Sequence, residues 1–254
     1  MKQDNIVISL KDVHKSFGTQ KVLRGINLDL PKDKVNVIIG KSGGGKSVLL
    51  KHIIGLLKPD RGQVLVNGQD IVPLKEQELA RVRRKFGMLF QEAALFDSLT
   101  VFENVAFPLQ EHTKKSFKEI KEIVEEKLAQ VGLAGMGYKM PSELSGGMRK
   151  RVGLARALAL DPEIVLFDEP TSGLDPVMSA AINELIVRTK EDFGATCVVI
   201  SHDIPATMAT ADFIFMLYEG KIIAQGTPEE IKQNPDPVVQ QFIYGRANGP
   251  IKVI

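Results

Sequence analysis

The chain has 254 residues, 44% hydrophobic and 25% charged, with 33 Lys plus Arg against 31 Asp plus Glu and a net charge of +2. The composition is that of a folded chain with a sizeable core, and the length suits one large domain or a domain with an insert. The near-neutral charge does not point to a dedicated nucleic-acid binder, and the single cysteine, Cys197 in the apolar run ATCVVISH, excludes an internal disulfide and reads as a small buried hydrophobe in a reducing compartment.

In chain order, the opening MKQDNIVISLKD has no sustained apolar core, so no secretory leader is expected. IVISLKDV (Ile6–Val13) and VLRGINLDL (Val22–Leu30) alternate apolar and polar residues, as half-buried antiparallel strands do. VNVII (Val35–Ile39) is a continuous apolar strand, followed by a glycine turn and the helical run KSVLLKHIIGLL. QVLVNGQDI predicts a strand entering an Asn67-Gly68 turn. From about Glu92 to Ala159 no strand run appears; Thr100 and Glu103 fit a capping box, SFKEIKEIVEEKLAQVGL is amphipathic, and a helical insert is expected. EIVLFDEP and ATCVVISH are two more buried strands, FIFMLYEGKIIAQG predicts a hairpin turning at Glu219-Gly220, and Thr227 with Glu230 caps a further helix. The alternation of strands and helices predicts an α/β fold with a largely parallel sheet, an antiparallel β subdomain and a helical insert. The basic runs Arg81–Lys85 and Arg149–Arg151 read as solvated helix faces. No stretch of about eighteen apolar residues is present, so membrane work would run through a partner.

GKSGGGKS (Gly40–Ser47) fits G-x-x-x-x-G-K-[ST] between an apolar strand and a helix, the context that gives the pattern meaning. Gly43, Gly44 and Gly45 allow the positive φ and close backbone approach with which N–H groups ring phosphates. Lys46 supplies a point charge for the β- and γ-phosphates, and the Ser47 hydroxyl suits Mg²⁺. The plain alternative is a glycine-rich turn that happens to precede Lys-Ser. The ATP-binding set is Gly40, Lys41, Ser42, Gly43, Gly44, Gly45, Lys46, Ser47 and Val48.

IVLFDEP ends a strand in two adjacent carboxylates, where open α/β sheets bind ligands. Asp168 is expected to hold Mg²⁺ through water and Glu169 to polarise the attacking water, the plain alternative being a solvated acidic turn. His202 also ends a strand; a lone histidine is usually structural, yet this position favours a γ-phosphate contact. Gln91 ends the run GMLFQ and could orient water or bind Mg²⁺, although alone it proves nothing.

ELSGGMRKR (Glu143–Arg151) sets a serine and two glycines before a basic helix, a second anion-attracting turn without a phosphate lysine. Taken together, GKSGGGKS, FQ, LSGGM, LFDEPTSGLDP and SHD, in this order over roughly Ile6 to Thr227, resemble the ATP-binding subunits of ABC transporters. The resemblance implies a P-loop NTPase core in which two subunits pack head to tail as a homodimer. Ser145, Gly146, Gly147 and Met148 of one subunit, with Asp175 of the D-loop, would then meet the ATP held by Lys46 of the other. It also places Phe17, in KSFG, as an aromatic that stacks on adenine, against the plain alternative of a core phenylalanine. The family usually has Gln where Met148 stands; the phosphate-facing Ser-Gly-Gly is intact, so activity is expected.

MLFQEAALFDSLTVFENVAFPLQEHT, PSELSGGMRKRVGLARALALDPEI and NPDPVVQQF further resemble the ATPase of MCE-type phospholipid transporters, the Mla system. That resemblance implies a peripheral subunit on the cytoplasmic face of the inner membrane, moving lipid between inner and outer membranes. Its partners would be integral membrane permease subunits (MlaE-like), an MCE-domain substrate-binding protein and a small STAS-type regulatory protein, with no nucleic acid. The permease would dock beside Gln91 and Ala93–Val105. The alternatives are an amino-acid or metal-ion importer, which shares every motif, and a soluble non-transport ABC ATPase. A regulatory nucleotide-binding module would instead show a damaged Asp168–Glu169 pair. Residues 1–233 are expected to form the ATPase domain, with the insert at about 92–159. Residues 234–254 are expected as a tail for inter-subunit or partner contact, its apolar Val238, Val239, Phe242 and Ile243 opposite glutamines.

Overall fold

Alternation, glycine punctuation and caps translate into ten strands and nine helices among the described residues, 5–252 of a computed structural model. Met1–Asp4 of the opening and Val253 and Ile254 of the tail lie outside them. In chain order the elements are β1 (Ile6–Phe17), β2 (Gln20–Pro31), β3 (Val35–Ile39), α1 (Lys46–Ile53), β4 (Arg61–Val66), β5 (Gln69–Asp70), α2 (Glu76–Arg83), β6 (Phe86–Leu89), α3 (Val101–His112), α4 (Phe117–Gln130), α5 (Gly146–Leu158), β7 (Ile164–Asp168), α6 (Pro176–Phe193), β8 (Thr196–Ile200), α7 (Ile204–Thr210), β9 (Phe213–Tyr218), β10 (Lys221–Gly226), α8 (Pro228–Gln233) and α9 (Pro237–Ile243). The chain divides into two compact units, residues 1–83 with 198–254, and residues 84–197.

In the first unit the alternating runs pair as an antiparallel sheet in the order β2-β1-β4-β5. β1 runs past Val13 to Phe17, because a bulge at Asp12, φ 48°, absorbs the irregularity that ended the alternation. The Asp12 carboxylate meets His14 at 2.8 Å and accepts from Arg61 at 2.6 Å, which ties the bulge to its neighbours; the His14 hydrogen bond first, then Arg61, hold that carboxyl below its usual range. The Asn67-Gly68 turn has both residues at positive φ, 48° and 77°, as does Glu219-Gly220 at 45° and 76°. β9 pairs antiparallel with β10 and parallel with the fully buried β3. β8 contributes its last three residues to this unit, and Ser201 donates to the Ile38 carbonyl at 3.2 Å. α2 does not stand out in the sequence: its only buried residues are Leu79 and Val82, and Arg83 holds it by donating to the Ile54 and Gly55 carbonyls at the end of α1.

In the second unit β6 and β7 are parallel neighbours. Among the described residues, 92–159 hold helices and no strand. Thr100 and Glu103 form the expected capping box at α3, and Thr227 with Glu230 does so at α8 of the first unit. A third box, Ser116 with Glu119 in SFKE, caps α4. The Arg149–Arg151 run departs from a solvated face. Lys150 is buried, Arg149 donates to the Leu144 carbonyl at 2.7 Å and Arg151 to that of Val131 at 3.3 Å. Their charged ends serve carbonyls that the surrounding turns leave over.

Candidate nucleotide site and signature turn

The phosphate loop of the first unit starts where β3 ends. Gly40 has φ 154°, and a Cβ there would collide with the Leu217 carbonyl oxygen. Gly43 and Gly45 have φ 73° and 96°, and a Cβ on Gly45 would meet Val22 Cγ1 at 2.9 Å. α1 begins after Gly45 with no side-chain cap, so its first N–H groups are turned to the loop. Lys46 is buried and donates to the Gly40 carbonyl at 2.8 Å and the Lys41 carbonyl at 3.2 Å. Lys41, Ser42 and Ser47 are exposed, Val48 half-buried.

His202 leaves the end of β8 exposed, and Asp203 after it caps α7 by accepting from Ala206 N at 3.0 Å. A cleft of about 570 Å³ brings Gly40, Lys41 and Ser42 together with His202 and with Phe242–Gly245 of the tail. Phe17 is 48% exposed at the end of β1, its ring 5.7 Å from the Lys15 ammonium, which disfavours the core alternative. α9 forms as expected, but with a different face inward: Val239, Gln241 and Ile243 are buried. Gln241 belongs inside because its amide donates to the Arg246 and Ile251 carbonyls, both at 3.1 Å, and accepts from Ile251 N at 2.6 Å.

In the second unit, β7 delivers Asp168 and Glu169 half-buried, with Glu169 at φ 48°, a conformation that non-glycine residues adopt at a cost. Ser172 collects the neighbouring elements. Its N–H donates to the Glu169 carbonyl at 3.1 Å, its hydroxyl accepts from Gln91 Nε2 at 3.3 Å, and its carbonyl accepts from Lys150 Nζ at 2.5 Å. Burial pushes the Lys150 ammonium below its ordinary range, against the pull of Glu92 and Glu169. Ala93 and Ala94, after Gln91, have φ 60° and 48°, and Arg156 holds their carbonyls at 2.7 and 2.8 Å.

Ser145 caps α5, its hydroxyl accepting from Met148 N at 3.3 Å. Gly146 follows half-buried, and Gly147 is buried where a Cβ would collide with Met178 Cε. Met178 sits at the start of α6, which Asp175 caps by accepting from Val177 and Met178 N at 2.9 and 3.0 Å. Beside Gln91, the segment Ala93–Val105 is mixed: Ala93, Val101 and Val105 are core, while Phe96 is exposed, as are Phe90 and Phe107 on either side of the segment. Phe96 packs on Phe107 at 4.9 Å. Buried Asn104 fixes the backbone that presents Phe96, accepting from its N–H at 2.8 Å and donating to its carbonyl at 3.1 Å. Sequence reading missed Lys150, Ser172, Arg156 and Asn104, since nothing in a basic run, a Ser in a turn or an Asn in a helix announces a buried partner.

Among the described residues no helix is long and apolar enough to cross a membrane. The family model described as "ABC transporter" matches residues 23–172. The "Probable ribonucleotide transport ATP-binding protein mkl" of Mycobacterium leprae is 47% identical over 246 residues, 97% of this chain and 71% of that protein. The "Intermembrane phospholipid transport system ATP-binding protein MlaF" of Haemophilus influenzae is 44% identical over 246 residues, 97% of this chain and 93% of that protein. A solved structure described as a dimeric post-hydrolysis state of the ATP-binding cassette MJ0796 bound to ADP and Pi matches with a TM-score of 0.80. Its identity is 34%, over 87% of this chain and 98% of that one.

Proposed function

The chain belongs to the ABC transporter family, and from that premise we propose that it is the ATP-hydrolysing subunit that energises phospholipid transport between inner and outer membranes through an MCE-type complex. It is an ATPase. The observation that carries the lipid reading is the near end-to-end match to the phospholipid-transport protein, 93% of that protein's length at 44% identity.

In this reading residues 1–233 are the ATPase domain, with 92–159 as its helical subdomain. The N–H groups of Gly43–Lys46 ring the β- and γ-phosphates, and Lys46 turns from its own loop carbonyls toward them. Phe17 offers its exposed face to adenine. By the family's motifs, the Ser47 hydroxyl, the Gln91 amide oxygen and, through water, the Asp168 carboxylate would be the hard oxygen donors to Mg²⁺. Among the described residues no group of three or more His, Cys, Asp or Glu could hold a metal. When bound, Mg²⁺ neutralises charge developing on the phosphates. Glu169 takes the proton from the attacking water, while His202 and Gln91 position water and γ-phosphate.

Ser145, Gly146, Gly147 and Met148 close the cage on a second copy's nucleotide, with Asp175 linking the sites. The signature turn needs no lysine because its nucleotide arrives already held by the other subunit's Lys46. Phe90, Phe96 and Phe107 form the apolar surface for a permease at the cytoplasmic face of the inner membrane. The outward side of the tail serves the second ATPase subunit or a small regulatory partner. An MCE-domain protein completes the complex.

The name of the 47% identical mycobacterial relative favours a second reading, ribonucleotide transport. The match spans 93% of the phospholipid-transport protein but 71% of the mycobacterial one, which favours the lipid reading. Purification from membranes in mild detergent decides. A co-purifying permease with an MCE-domain protein, and ATPase stimulation by phospholipid rather than ribonucleotides, is expected; ribonucleotide stimulation alone would replace this reading.

A further inference from the structure

Helix α5 does more than present its N-terminus. Five residues after its cap, Lys150 is 5% exposed and reaches the Ser172 carbonyl at 2.5 Å. Ser172 in turn receives Gln91 on its hydroxyl at 3.3 Å and donates from its N–H to the Glu169 carbonyl at 3.1 Å. Further along the same helix Arg156 grips the carbonyls of Ala93 and Ala94, next to Gln91. One rigid element therefore touches the turn after Glu169 and the segment after Gln91.

We infer that Lys150 is a positioning residue for hydrolysis, through which the place of the signature helix sets the places of Gln91 and of the Glu169 turn. The inference rests on the roles given above to Ser145, Gln91 and Glu169. A helix moves as a unit, and Lys150 lies about 7.5 Å along the axis from Ser145 at 1.5 Å per residue. A ligand drawn onto the cap shifts Lys150 with it. A buried ammonium cannot leave its carbonyl without a large desolvation cost, so Ser172 follows. Ser172 then carries the shift to the Gln91 amide and the Glu169 backbone. The carboxylates facing Lys150 are Glu92, after β6, and Glu169, after β7, so the same ammonium also balances the acidic residues it positions.

The test uses the assembled transporter with Lys150→Met, Lys150→Arg, Ser172→Ala and Glu169→Gln. Lys150→Met keeps length and removes the charge and donors. Expected is ATP affinity and KM within about twofold of wild type, with kcat lower by roughly 10- to 100-fold, the loss a misplacement of about 1 Å carries. Lys150→Arg should recover part of kcat, and Ser172→Ala, which keeps the carbonyl but frees Gln91, should lower kcat less than Lys150→Met. Wild-type kcat in Lys150→Met beside an inactive Glu169→Gln would overturn the inference and leave the reading of Glu169 intact. An active Glu169→Gln would instead remove the premise. A Lys150→Met defect confined to melting temperature and the fraction of chains that bind ATP, with normal kcat per bound ATP, would also overturn it.

Discussion

The Lys46 ammonium donates to the carbonyl of Gly40 at 2.8 Å, so the phosphate-loop lysine is bonded to the residue that opens its own loop. The bond holds the charge over the loop before any phosphate competes for it. Lys46→Ala should weaken ATP binding by about 2–3 kcal/mol, the scale of a hydrogen bond to a charged group, which is roughly 30- to 150-fold. Lys46→Arg should not restore it, because a planar fork cannot replace a compact ammonium at this place. Titration with a fluorescent ATP analogue measures both, and near-normal affinity in either variant would contradict the role.

Glu169→Gln should bind MgATP and lose hydrolysis by about 10²- to 10⁴-fold, the contribution of a general base. The motive is its place after Asp168 in a strained left-handed conformation. Because ATP holds the two subunits together, the variant should also accumulate as an ATP-dependent dimer. Size-exclusion chromatography with and without MgATP reads this directly.

Strands β3, β7 and β8 were legible because buried parallel strands are continuous apolar runs. Each candidate phosphate and carboxylate residue stands at a strand end or helix start where glycine or turn chemistry punctuates the sequence. Lys150 and Ser172 were not legible, because a hydrogen bond between α5 and the turn after β7 depends on packing that no local pattern encodes. Gln241 was misplaced for the same reason: amphipathic periodicity assigns an amide outward unless a distant backbone satisfies it, and here residues 246 and 251 do. The alternation of β1 stops before the strand does because a bulge at Asp12 breaks the period of two.

The trans role proposed for Ser145 is separable from nucleotide binding in cis. Ser145→Arg should leave ATP binding to the isolated chain nearly unchanged and abolish hydrolysis, since a bulky cation at the α5 cap does not fit a cage already holding Lys46. Mixing Ser145→Arg with Lys46→Ala chains yields dimers with one site carrying both changes and one carrying neither. Activity should rise above that of either homodimer. Loss of ATP binding in isolated Ser145→Arg would contradict the assignment.

His52 sets a pH dependence of stability. It is 1% exposed, donates from Nδ1 to the Val48 carbonyl at 2.7 Å, and has no hydrogen-bond partner on Nε2 among the described residues. Burial holds it below the ordinary value of 6.5. The native state thus refuses a proton that the unfolded chain accepts. Its full stabilising contribution is present above pH 6.5 and is lost as pH falls below 6.5, toward the lower folded value, by at most about 1.4 kcal/mol per pH unit. The melting temperature should drop from pH 7.5 to 5.5, and His52→Asn should flatten that part of the curve. An equal drop in His52→Asn would assign it to other groups.

The tail offers the last test, because its two faces make different demands. Val239 is fully buried and Ile243 is 9% exposed, so removing residues 236–254 takes two side chains out of the first unit's core. At about 1.5–3 kcal/mol for each buried side chain, the isolated subunit should melt several degrees lower. Removing only residues 246–254 leaves Val239 and Ile243 in place but strips Gln241 of its bonds to residues 246 and 251. A buried amide without partners costs about 1–3 kcal/mol, so this shorter deletion should also destabilise, and Gln241→Leu in the same background should recover part of the loss. The outward side, with Phe242 half-buried and Tyr244 56% exposed, is free of those demands. Phe242→Ser with Tyr244→Ser should therefore leave the melting temperature nearly unchanged and weaken assembly with the second subunit or the regulatory partner. A pull-down in which the double variant assembles as well as wild type would confine the tail to folding its own subunit.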